Sequence, residues 1–297
     1  MKLTVILVNY RCDKSKLQSC LNSIKINTDV IIIDHSHDFT LEDIIVPENL
    51  NIQIIENKNL GNGAGINCGI KNSDTRLVLY LDIDTVLSHN FFSILEESIN
   101  KIDNFAVVAP KINDFYKDYF INTTGNLSLT KFFYNKFNFN VDLEKTIFKN
   151  IKEVFFVSGS IMLFDKKNTY EKNIKFDENI FMFYEENDFF HQCFKNNEKI
   201  YLITDLIAHH LEGGSINDKS LKYECFKKWH WEYSKYYFFS KHYNKILIFL
   251  IASKSIFKFS LKIFVFYFLN KNRYKIYKSR LNGLLSFYLK RKCNIDF

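Results

Sequence analysis

The sequence predicts an α/β fold in which helices cover both faces of a sheet, and two observations favour it. Four apolar runs are separated by segments long enough for helices: Thr4–Val8, Val30–Ile33, Ile52–Ile55 and Leu77–Leu81. Strands that are apolar along their length are typical of a parallel sheet that is buried on both sides. A polar residue also follows each run, and ligands of such sheets bind at the carboxyl ends of the strands. The fold class therefore predicts a crevice at that edge.

The segments between and after these strands complete the prediction. Asp13–Ile26 has the hydrophobic period of an amphipathic helix. Val154–Phe164 predicts a further strand, interrupted at Ser158–Ser160, and glycine inside a strand often marks the close approach of a ligand. Residues 115–150 are rich in Phe, Asn and Lys without a clear period, so we interpret them as a variable insertion.

Composition indicates a folded protein that is not exported. With 297 residues, 47% of them hydrophobic, the chain is long enough to bury a core. The six cysteines are scattered without a Cys-x-x-Cys pair, which argues against a zinc site or a disulfide framework and favours a reducing compartment. The apolar run at the N-terminus ends at Asn9 and is too short for a signal peptide. We therefore expect a cytoplasmic protein.

Charge is distributed unevenly along the chain. From Lys219 onward there are 18 Lys or Arg residues against 3 acidic residues, whereas the preceding part carries a net negative charge. Such asymmetry is typical of a basic appendage on an acidic body. We therefore divide the chain into one domain at residues 1–218 and a basic, aromatic, helical tail at residues 219–297.

The tail contains a long apolar segment, Ile246–Leu269, which has nearly the length of a membrane span. Three lysines in its middle, Lys254, Lys258 and Lys262, would each cost roughly 2.5 to 3.5 kcal/mol at the centre of a bilayer. On a helix they share one face, and the opposite face carries Ile256, Phe259, Ile263 and Phe266. We therefore expect an interfacial helix that binds an anionic membrane surface. Interleaved basic and aromatic residues also suit nucleic acid, but no nucleic-acid-binding motif is present.

The fourth apolar run ends in two carboxylates. Because side chains alternate along a strand, Asp82 and Asp84 would lie on one face at the end of the strand. Two hard oxygen ligands suit Mg²⁺ or Mn²⁺, and such a cation can hold a diphosphate. Taken alone, the pair is equally consistent with a polar turn in which both carboxylates are solvated.

A glycine-rich stretch, from Asn59 to Gly69, follows the third apolar run. It is similar to a nucleotide-binding loop, but it does not match the dinucleotide fingerprint Gly-x-Gly-x-x-Gly. The third glycine position is occupied by Ile66 when the pattern starts at Gly61, and by Cys68 when it starts at Gly63. A P-loop is excluded because no Gly-Lys-Ser/Thr follows. By itself the stretch is typical of a surface turn that enters a helix.

An acidic segment, Phe176–Asp188, carries candidate proton acceptors. Glu185 and Glu186 follow an aromatic run, and a hydrophobic wall can raise the pKa of a carboxylate toward the range of a general base. The alternative is an ordinary solvated helix face.

A pair of histidines, His209 and His210, follows a further apolar run. Such pairs are more often structural than metal-binding when nothing else is known. Neutral imidazole is nevertheless a good ligand for a divalent metal, so the pair is a second candidate metal element.

In this order, the motifs resemble those of the family 2 glycosyltransferases of the GT-A fold, in particular the bacterial rhamnosyltransferase-like branch. The resemblance covers roughly residues 3–215. It rests on Val8-Asn9-Tyr10, Ile33-Asp34-His35-Ser36, the glycine-rich loop with Asn59, Gly61, Gly63, Ala64, Gly65, Asn67 and Gly69, Leu81-Asp82-Ile83-Asp84, Ser158-Gly159-Ser160, the acidic segment and the histidine segment. It implies a Rossmann-like mixed sheet flanked by helices.

The resemblance also implies roles for individual residues. Asp84 would bind Mg²⁺ or Mn²⁺, with His210 as second ligand in a His-x-x-Gly-x-Ser pattern that ends at Ser215. Glu186 occupies the position of an aspartate that acts as general base, and Glu185 is the alternative. The residues implied to bind the nucleotide sugar are Asn9, Tyr10, Asp34, Asn59, Gly61, Asn67, Asp82 and Gly159.

Two positions depart from the family pattern. Asn62 stands where an aromatic residue is usual, and Ile66 stands where a polar residue is usual. Either change could alter how the loop holds the sugar.

We therefore expect an inverting, metal-dependent glycosyltransferase that moves a sugar from a UDP- or dTDP-sugar to a hydroxyl of a lipid-linked or cell-surface glycan. It would act in polysaccharide biosynthesis, as a peripheral protein on the inner face of the cell membrane, with residues 115–150 shaping the acceptor site. Two alternatives stay open. One is a non-catalytic membrane-docking protein that retains the fold, and the other is a glycoside hydrolase, which uses a carboxylate pair without a metal or a nucleotide.

Overall fold

A computed structural model describes residues 1–114, 119–121, 144–210, 218 and 220–293. Its strands are β1 (Leu3–Asn9), β2 (Thr28–Asp34), β3 (Leu50–Glu56), β4 (Leu77–Leu81), β5 (Thr85–Leu87), β6 (Val107–Asp114), β7 (Tyr119–Ile121), β8 (Glu144–Phe148), β9 (Ile151–Val154), β10 (Ile161–Asp165) and β11 (Ile200–His210). Its α-helices are α1 (Lys14–Ser23), α2 (Asn62–Asn72), α3 (Phe91–Ile99), α4 (Glu185–Lys195), α5 (Leu221–His242), α6 (Lys245–Leu269) and α7 (Lys271–Leu289). Most of the predicted insertion at 115–150 lies outside the described residues, as do residues 211–215 of the histidine segment.

The chain forms two compact units. The first contains the described residues of 1–59, 64–176 and 189–217, and the second contains those of 60–63, 177–188 and 218–297. All the described strands belong to the first unit, whereas α5, α6 and α7 belong to the second. The division into a domain at 1–218 and a tail at 219–297 stays a prediction, because spatial grouping does not show which part acts alone.

Among the described residues, eleven strands form one mixed sheet. Its order is β3-β2-β1-β4-β10-β6-β11-β9-β8, with β5 paired to β11 and β7 paired to β6. The four strands that the apolar runs predict lie side by side and are parallel. Strand β10 then runs antiparallel to both β4 and β6. The predicted α/β fold with a mixed sheet flanked by helices is confirmed.

Apolar side chains cover both faces of this sheet. On β1, Val5 and Leu7 belong to one core cluster and Ile6 belongs to the other, because neighbouring side chains of a strand point to opposite faces. Helix α1 buries Leu17 and Leu21 in the first cluster, as its period predicts. The core therefore fixes the positions of the strand ends, where the polar residues lie.

The second unit contains a buried ion pair that connects its helices. The carboxylate of Glu232 on α5 is fully buried and accepts a hydrogen bond from Nε of Arg280 on α7 at 2.8 Å. The Arg280 guanidinium also lies 4.9 Å from the ring centre of Phe259 on α6. Arg280 therefore joins all three helices.

Helices α5 and α7 also approach each other closely at a glycine. At Gly283 of α7, an added Cβ would lie 2.2 Å from the carbonyl oxygen of Trp229, so only glycine allows this close approach.

In the described parts of the chain, every helix falls short of the combined length and apolarity needed to cross a membrane.

Candidate active site

The carboxyl ends of β1 and β2 carry the first cluster of polar side chains. The register pairs Asn9 with Asp34, and Nδ2 of Asn9 donates a hydrogen bond to Oδ1 of Asp34 at 2.8 Å. The hydroxyl of Ser36 donates to the same oxygen at 2.6 Å. Burial opposes ionisation of Asp34, but hydrogen bonds from Ser36, the Phe39 amide and Asn9 outweigh it and lower the pKa. The strand ends therefore present an ionised, oriented carboxylate.

The residues that follow Asn9 and Asp34 extend this cluster. Tyr10 is half-buried, and the guanidinium of Arg11 lies 5.3 Å from the centre of its ring. His35 is buried, its Nε2 has no hydrogen-bond partner among the described residues, and burial lowers its pKa. A Cβ at Gly65 of α2 would lie 2.8 Å from the Val8 side chain and 3.1 Å from His35 Cε1. Glycine at this position lets α2 pack directly against the strand ends.

The second cluster consists of Asp82, Asp84 and His210. Nε2 of His210 lies 3.2 Å from Oδ1 of Asp84 and 3.8 Å from Oδ2 of Asp82. One ligand atom from each of the three residues lies within 4.8 Å of the others, which is close enough to hold one metal ion. Asp84 is buried, and its Oδ2 has no hydrogen-bond partner in the described structure. An unpartnered buried carboxylate oxygen fits a divalent cation at this point.

Strand pairing brings these three residues together. The turn after β4 contains both aspartates and closes with a hydrogen bond from the Thr85 amide to the Asp82 carbonyl at 3.0 Å. Strand β5 then pairs antiparallel with β11, with Thr85 opposite His210. This register, between residues far apart in sequence, places the imidazole beside the Asp84 carboxylate.

The carboxylates of the second cluster favour the protonated form of its histidine. Burial opposes protonation of His210, but hydrogen bonds to Asp82 and Asp84 outweigh it and raise the pKa of the imidazole to about 10. Burial also raises the pKa of Asp82. The imidazolium therefore offsets part of the negative charge of the cluster, a role that a bound divalent cation would take over.

The interruption at Ser158–Ser160 lies next to this cluster. The Asp82 amide donates a hydrogen bond to the Ser160 carbonyl at 2.8 Å. The hydroxyls of Ser158 and Ser160 are 3.0 Å apart. Gly159, predicted to approach the donor sugar, therefore lies in a loop that contacts the turn carrying the carboxylates.

Two residues of the glycine-rich stretch have structural contacts that the sequence did not reveal. Gly61 has a φ of 100°, and a Cβ there would lie 2.0 Å from the carbonyl oxygen of Phe181. Asn67 is buried, where it donates to the Phe176 carbonyl at 2.9 Å and accepts from the Tyr170 hydroxyl at 2.8 Å. Contacts of Gly61, Asn67 and Asn59 with a donor sugar stay predictions.

Glu185 and Glu186 begin helix α4 in the second unit. Glu185 is buried and Glu186 is half-buried. The two residues before them, Phe183 and Tyr184, have φ angles of 63° and 69°. Consecutive non-glycine residues in the left-handed region are strained, and such strain is found most often at functional sites.

Helix α5 supports this strained segment. The Ser234 hydroxyl donates a hydrogen bond to the Met182 carbonyl at 2.8 Å. The ring of Tyr184 packs against Trp231 and Phe238, with centroid distances of 5.5 and 5.7 Å. Helix α5 therefore places aromatic side chains against the residue that precedes the acidic pair, whereas the predicted effect of a hydrophobic wall on Glu185 or Glu186 stays a prediction.

Two residues shape the second cluster in ways that the sequence reasoning missed: it did not single out Tyr80, and it named Ser160 only as part of the interrupted strand. The Tyr80 hydroxyl donates to Oδ1 of Asp82 at 2.5 Å, and a period of two from Asp82 could have identified it. Ser160 acts through its backbone carbonyl, and no local sequence signal identifies such a contact. The functional roles of Asp82, Asp84 and His210 stay predictions, although the structure brings these residues together.

Solved structures with a similar fold include two transferases in complex with nucleotides. S. aureus TarS 1–349, in complex with UDP-GlcNAc, has a TM-score of 0.53 and 15% identity over 98% of this chain and 93% of that chain. GalNAc-T7, with UDP, GalNAc and Mn²⁺, has a TM-score of 0.55 and 16% identity over 81% of this chain and 50% of that chain. At these identities the likeness shows the GT-A fold alone.

Sequence comparison supplies the family. Comparison with curated proteins gives no significant match. The profile of "Glycosyl transferase family 2" matches residues 4–171, which is more than half of the chain. This range contains Asp34 of the first cluster and Asp82 and Asp84 of the second. The chain therefore belongs to glycosyl transferase family 2.

Proposed function

We propose that this protein transfers a hexosyl or deoxyhexosyl group from a UDP- or dTDP-sugar to a hydroxyl of a lipid-linked or cell-surface glycan. The transfer inverts the anomeric centre, and we assign the protein to the rhamnosyltransferase-like branch of the family. One observation carries the proposal: the Asp82, Asp84 and His210 cluster follows β4, and Asn9 and Asp34 end the neighbouring strands β1 and β2. Candidate cation ligands after β4 and an ionised carboxylate at the end of β2, with only β1 between these strands, suit a nucleoside diphosphate. The similar structures crystallised with UDP, UDP-GlcNAc and Mn²⁺ support this choice of ligand.

Asp84 and His210 would hold Mg²⁺ or Mn²⁺. Carboxylate oxygen and neutral imidazole suit both ions, and the buried, unpartnered Oδ2 of Asp84 is available as a ligand. When bound, the cation would neutralise charge that develops on the leaving diphosphate. The Tyr80 hydroxyl fixes the orientation of the Asp82 carboxylate, which we assign to the nucleotide sugar.

The nucleoside would bind at the ends of β1 and β2. Because the pKa of Asp34 is lowered, its carboxylate is ionised at neutral pH and accepts hydrogen bonds from ribose hydroxyls or a base N–H. Asn9 holds the carboxylate in place, and Tyr10 offers a half-buried ring. The remaining proposed contacts with the sugar come from Asn59, Gly61, Asn67 and Gly159.

Glu186 is the proposed general base, with Glu185 as the alternative. A carboxylate that takes the proton of the acceptor hydroxyl lets the oxygen attack the anomeric carbon opposite the leaving diphosphate, which inverts that centre. Support comes from the match of Glu186 to the aspartate position of the family and from the strained backbone at Phe183 and Tyr184. Burial separates the two candidates, since Glu185 is the less exposed.

A lipid-linked acceptor would place the reaction at the inner face of the cell membrane. The protein would then work there as a peripheral protein, with residues 1–218 as the transferase domain and residues 219–297 as the associating tail. Support comes from the basic composition of the tail.

The deciding experiment is a screen of UDP- and dTDP-sugars for release of the nucleoside diphosphate, with Mn²⁺, with Mg²⁺ and with EDTA. Cation-dependent release that increases with a glycan acceptor is the expected result. Binding of a nucleoside diphosphate without turnover of any sugar would favour the non-catalytic alternative. Cleavage of glycosides in EDTA, without a nucleotide, would favour the hydrolase alternative instead.

A further inference from the structure

Helix α6 has two apolar faces, and one of them is buried in the second unit. Ile248, Ala252 and Phe259 form an inner row with exposed fractions of 1%, 1% and 4%. The ring of Phe266, about two helical turns after Phe259 on the same row, stacks on Tyr277 of α7 with a centroid distance of 5.5 Å. The sequence predicted that the face with Phe259 and Phe266 meets a membrane. That prediction was wrong, because this face packs against α7.

The opposite face of α6 carries a second apolar row. Its six large side chains are each 55% to 74% exposed, and we call them the outer row: Ile246, Leu250, Phe257, Leu261, Phe264 and Phe268. Their spacings of 3, 4 and 7 residues place them on one side of the helix, away from the inner row. Soluble surfaces rarely expose so large a contiguous apolar area unless it binds something.

Basic side chains border the outer row. Lys254 and Lys258 are exposed and lie along one edge of it, by helical spacing. Neither α6 nor α7 contains an acidic residue. Helix α7, which packs against the inner row, carries the further exposed cations Lys271, Arg273, Lys275 and Lys278. The third lysine of the predicted membrane face, Lys262, instead donates a hydrogen bond to the Tyr277 hydroxyl at 2.9 Å. An apolar row with a cationic border complements a surface that is apolar inside and anionic outside.

We propose that the outer row of α6 inserts into the interfacial layer of an anionic bilayer, with Lys254 and Lys258 on the lipid phosphates. An amphipathic helix of this kind lies in the plane of the interface, with its apolar side chains at the boundary of the acyl chains. A second copy of this chain fits less well, because it would bring two sets of cationic, acid-free helices together. The proposal rests on the proposed function only in that a lipid-linked acceptor gives the docking a purpose.

The test uses full-length protein and two kinds of vesicle. One is pure phosphatidylcholine, and the other also contains about 30 mol% of the anionic lipid phosphatidylglycerol. We expect binding to the anionic vesicles that raised salt weakens only in part, since salt screens the lysines but not the apolar contact. Lys254→Glu with Lys258→Glu should weaken this binding roughly twentyfold or more, because each lysine contributes roughly fivefold. Phe257→Gln with Phe264→Gln should weaken it roughly tenfold or more per residue, at low and high salt alike.

Two matched controls separate this surface from general effects. Lys25→Glu with Lys167→Glu makes the same charge change at exposed sites of the first unit, and Ile45→Gln removes an 80% exposed apolar side chain there. Both should bind anionic vesicles as the unmodified protein does. Equal binding by the outer-row variants would overturn the proposal, as would a lack of binding by the unmodified protein at low salt. The proposal would also be overturned if the unmodified protein bound no vesicles and light scattering showed that it is a dimer, whereas the outer-row variants are monomers.

Transfer to a soluble acceptor, measured on the same preparations, keeps the two proposals distinguishable. The variants should release the nucleoside diphosphate at the normal rate with a soluble acceptor. Vesicle binding without transfer from any nucleotide sugar would refute the proposed function and leave this surface intact. Transfer without vesicle binding would support the proposed function and refute the proposed membrane surface.

Discussion

The buried carboxylate of Asp188 lies 2.6 Å from Nε2 of His242, and Nζ of Lys241 donates to its other oxygen at 2.9 Å. Asp188 belongs to the first turn of α4, which also carries Glu185 and Glu186. The end of α5 therefore clamps the turn on which the proposed base stands, just after the two strained residues. Lys241 and His242 are positioning residues in this arrangement, since neither needs to touch a substrate.

Asp188→Ala should lower the free energy of unfolding by about 3 kcal/mol, the low end for breaking a buried ion pair, because Lys241 keeps partial access to water. Chemical denaturation of the full chain measures this loss. Asp205→Ala, which removes an exposed carboxylate, is the matched control and should change stability by no more than about 0.5 kcal/mol. A similar small change for Asp188→Ala would mean that the clamp contributes little.

The sequence could predict the first half of the sheet because its signals are local. Each of the four parallel strands contains a mainly apolar run followed by a polar residue, and the third run is interrupted only by Gln53. The expectation that Asp82 and Asp84 lie on one face of a strand was wrong, because β4 ends at Leu81 and both aspartates lie in the turn that follows. The contact between His210 and Asp84 is different, since it depends on the pairing of Thr85 with His210. No local pattern specifies which distant strand β5 pairs with.

The outer row of α6 shows why periodicity alone misplaced the exposed apolar face of this helix. Both rows of this helix have helical spacing and apolar side chains, so the pattern cannot tell which of them packs against α7. The difference comes from tertiary partners: Arg280 and Tyr277 contact Phe259, and Tyr277 accepts a hydrogen bond from Lys262. These contacts bury the row beside Phe259 and turn the row beside Phe257 outward.

Asp84→Asn and His210→Ala should each abolish cation-dependent turnover, because each removes one of the proposed ligands. Calorimetry should show that each variant binds Mn²⁺ more weakly. The loss should exceed the roughly 10- to 100-fold that results when a residue hydrogen-bonded to a metal ligand is removed. His209→Ala is the matched control on the neighbouring residue and should leave Mn²⁺ binding unchanged. Full activity of the unmodified protein in EDTA would contradict the metal assignment altogether.

Glu186→Gln tests the proposed base, since it keeps size and hydrogen-bonding capacity but removes the proton acceptor. Donor binding should survive, whereas transfer should fall by roughly the 10²- to 10⁴-fold that a general base contributes. Glu185→Gln is the matched comparison, measured with the same donor and acceptor. Normal transfer by Glu186→Gln together with loss of transfer by Glu185→Gln would assign the role to Glu185.

His230 should make the stability of the chain depend on pH. Its ring is buried between Phe181 and Phe226, at centroid distances of 4.9 and 4.5 Å, and burial lowers its pKa from 6.5 to about 4. The unfolded chain therefore binds a proton on this residue from about pH 6.5 downward, whereas the folded chain does not until about pH 4. The stability that depends on neutral His230 is present above pH 6.5 and is lost as the pH falls toward 4.

His230→Phe keeps an aromatic ring in this cluster and removes the titration. The free energy of unfolding of the unmodified protein should fall, relative to that of His230→Phe, by on the order of 3 kcal/mol between pH 7 and pH 4. Denaturant titrations of both proteins at half-unit pH steps measure the difference, and His89→Gln, at an exposed histidine, should follow the unmodified protein. Parallel curves for the unmodified protein and His230→Phe would contradict the prediction, because they would show that the pKa of His230 is the same in the folded and unfolded chains.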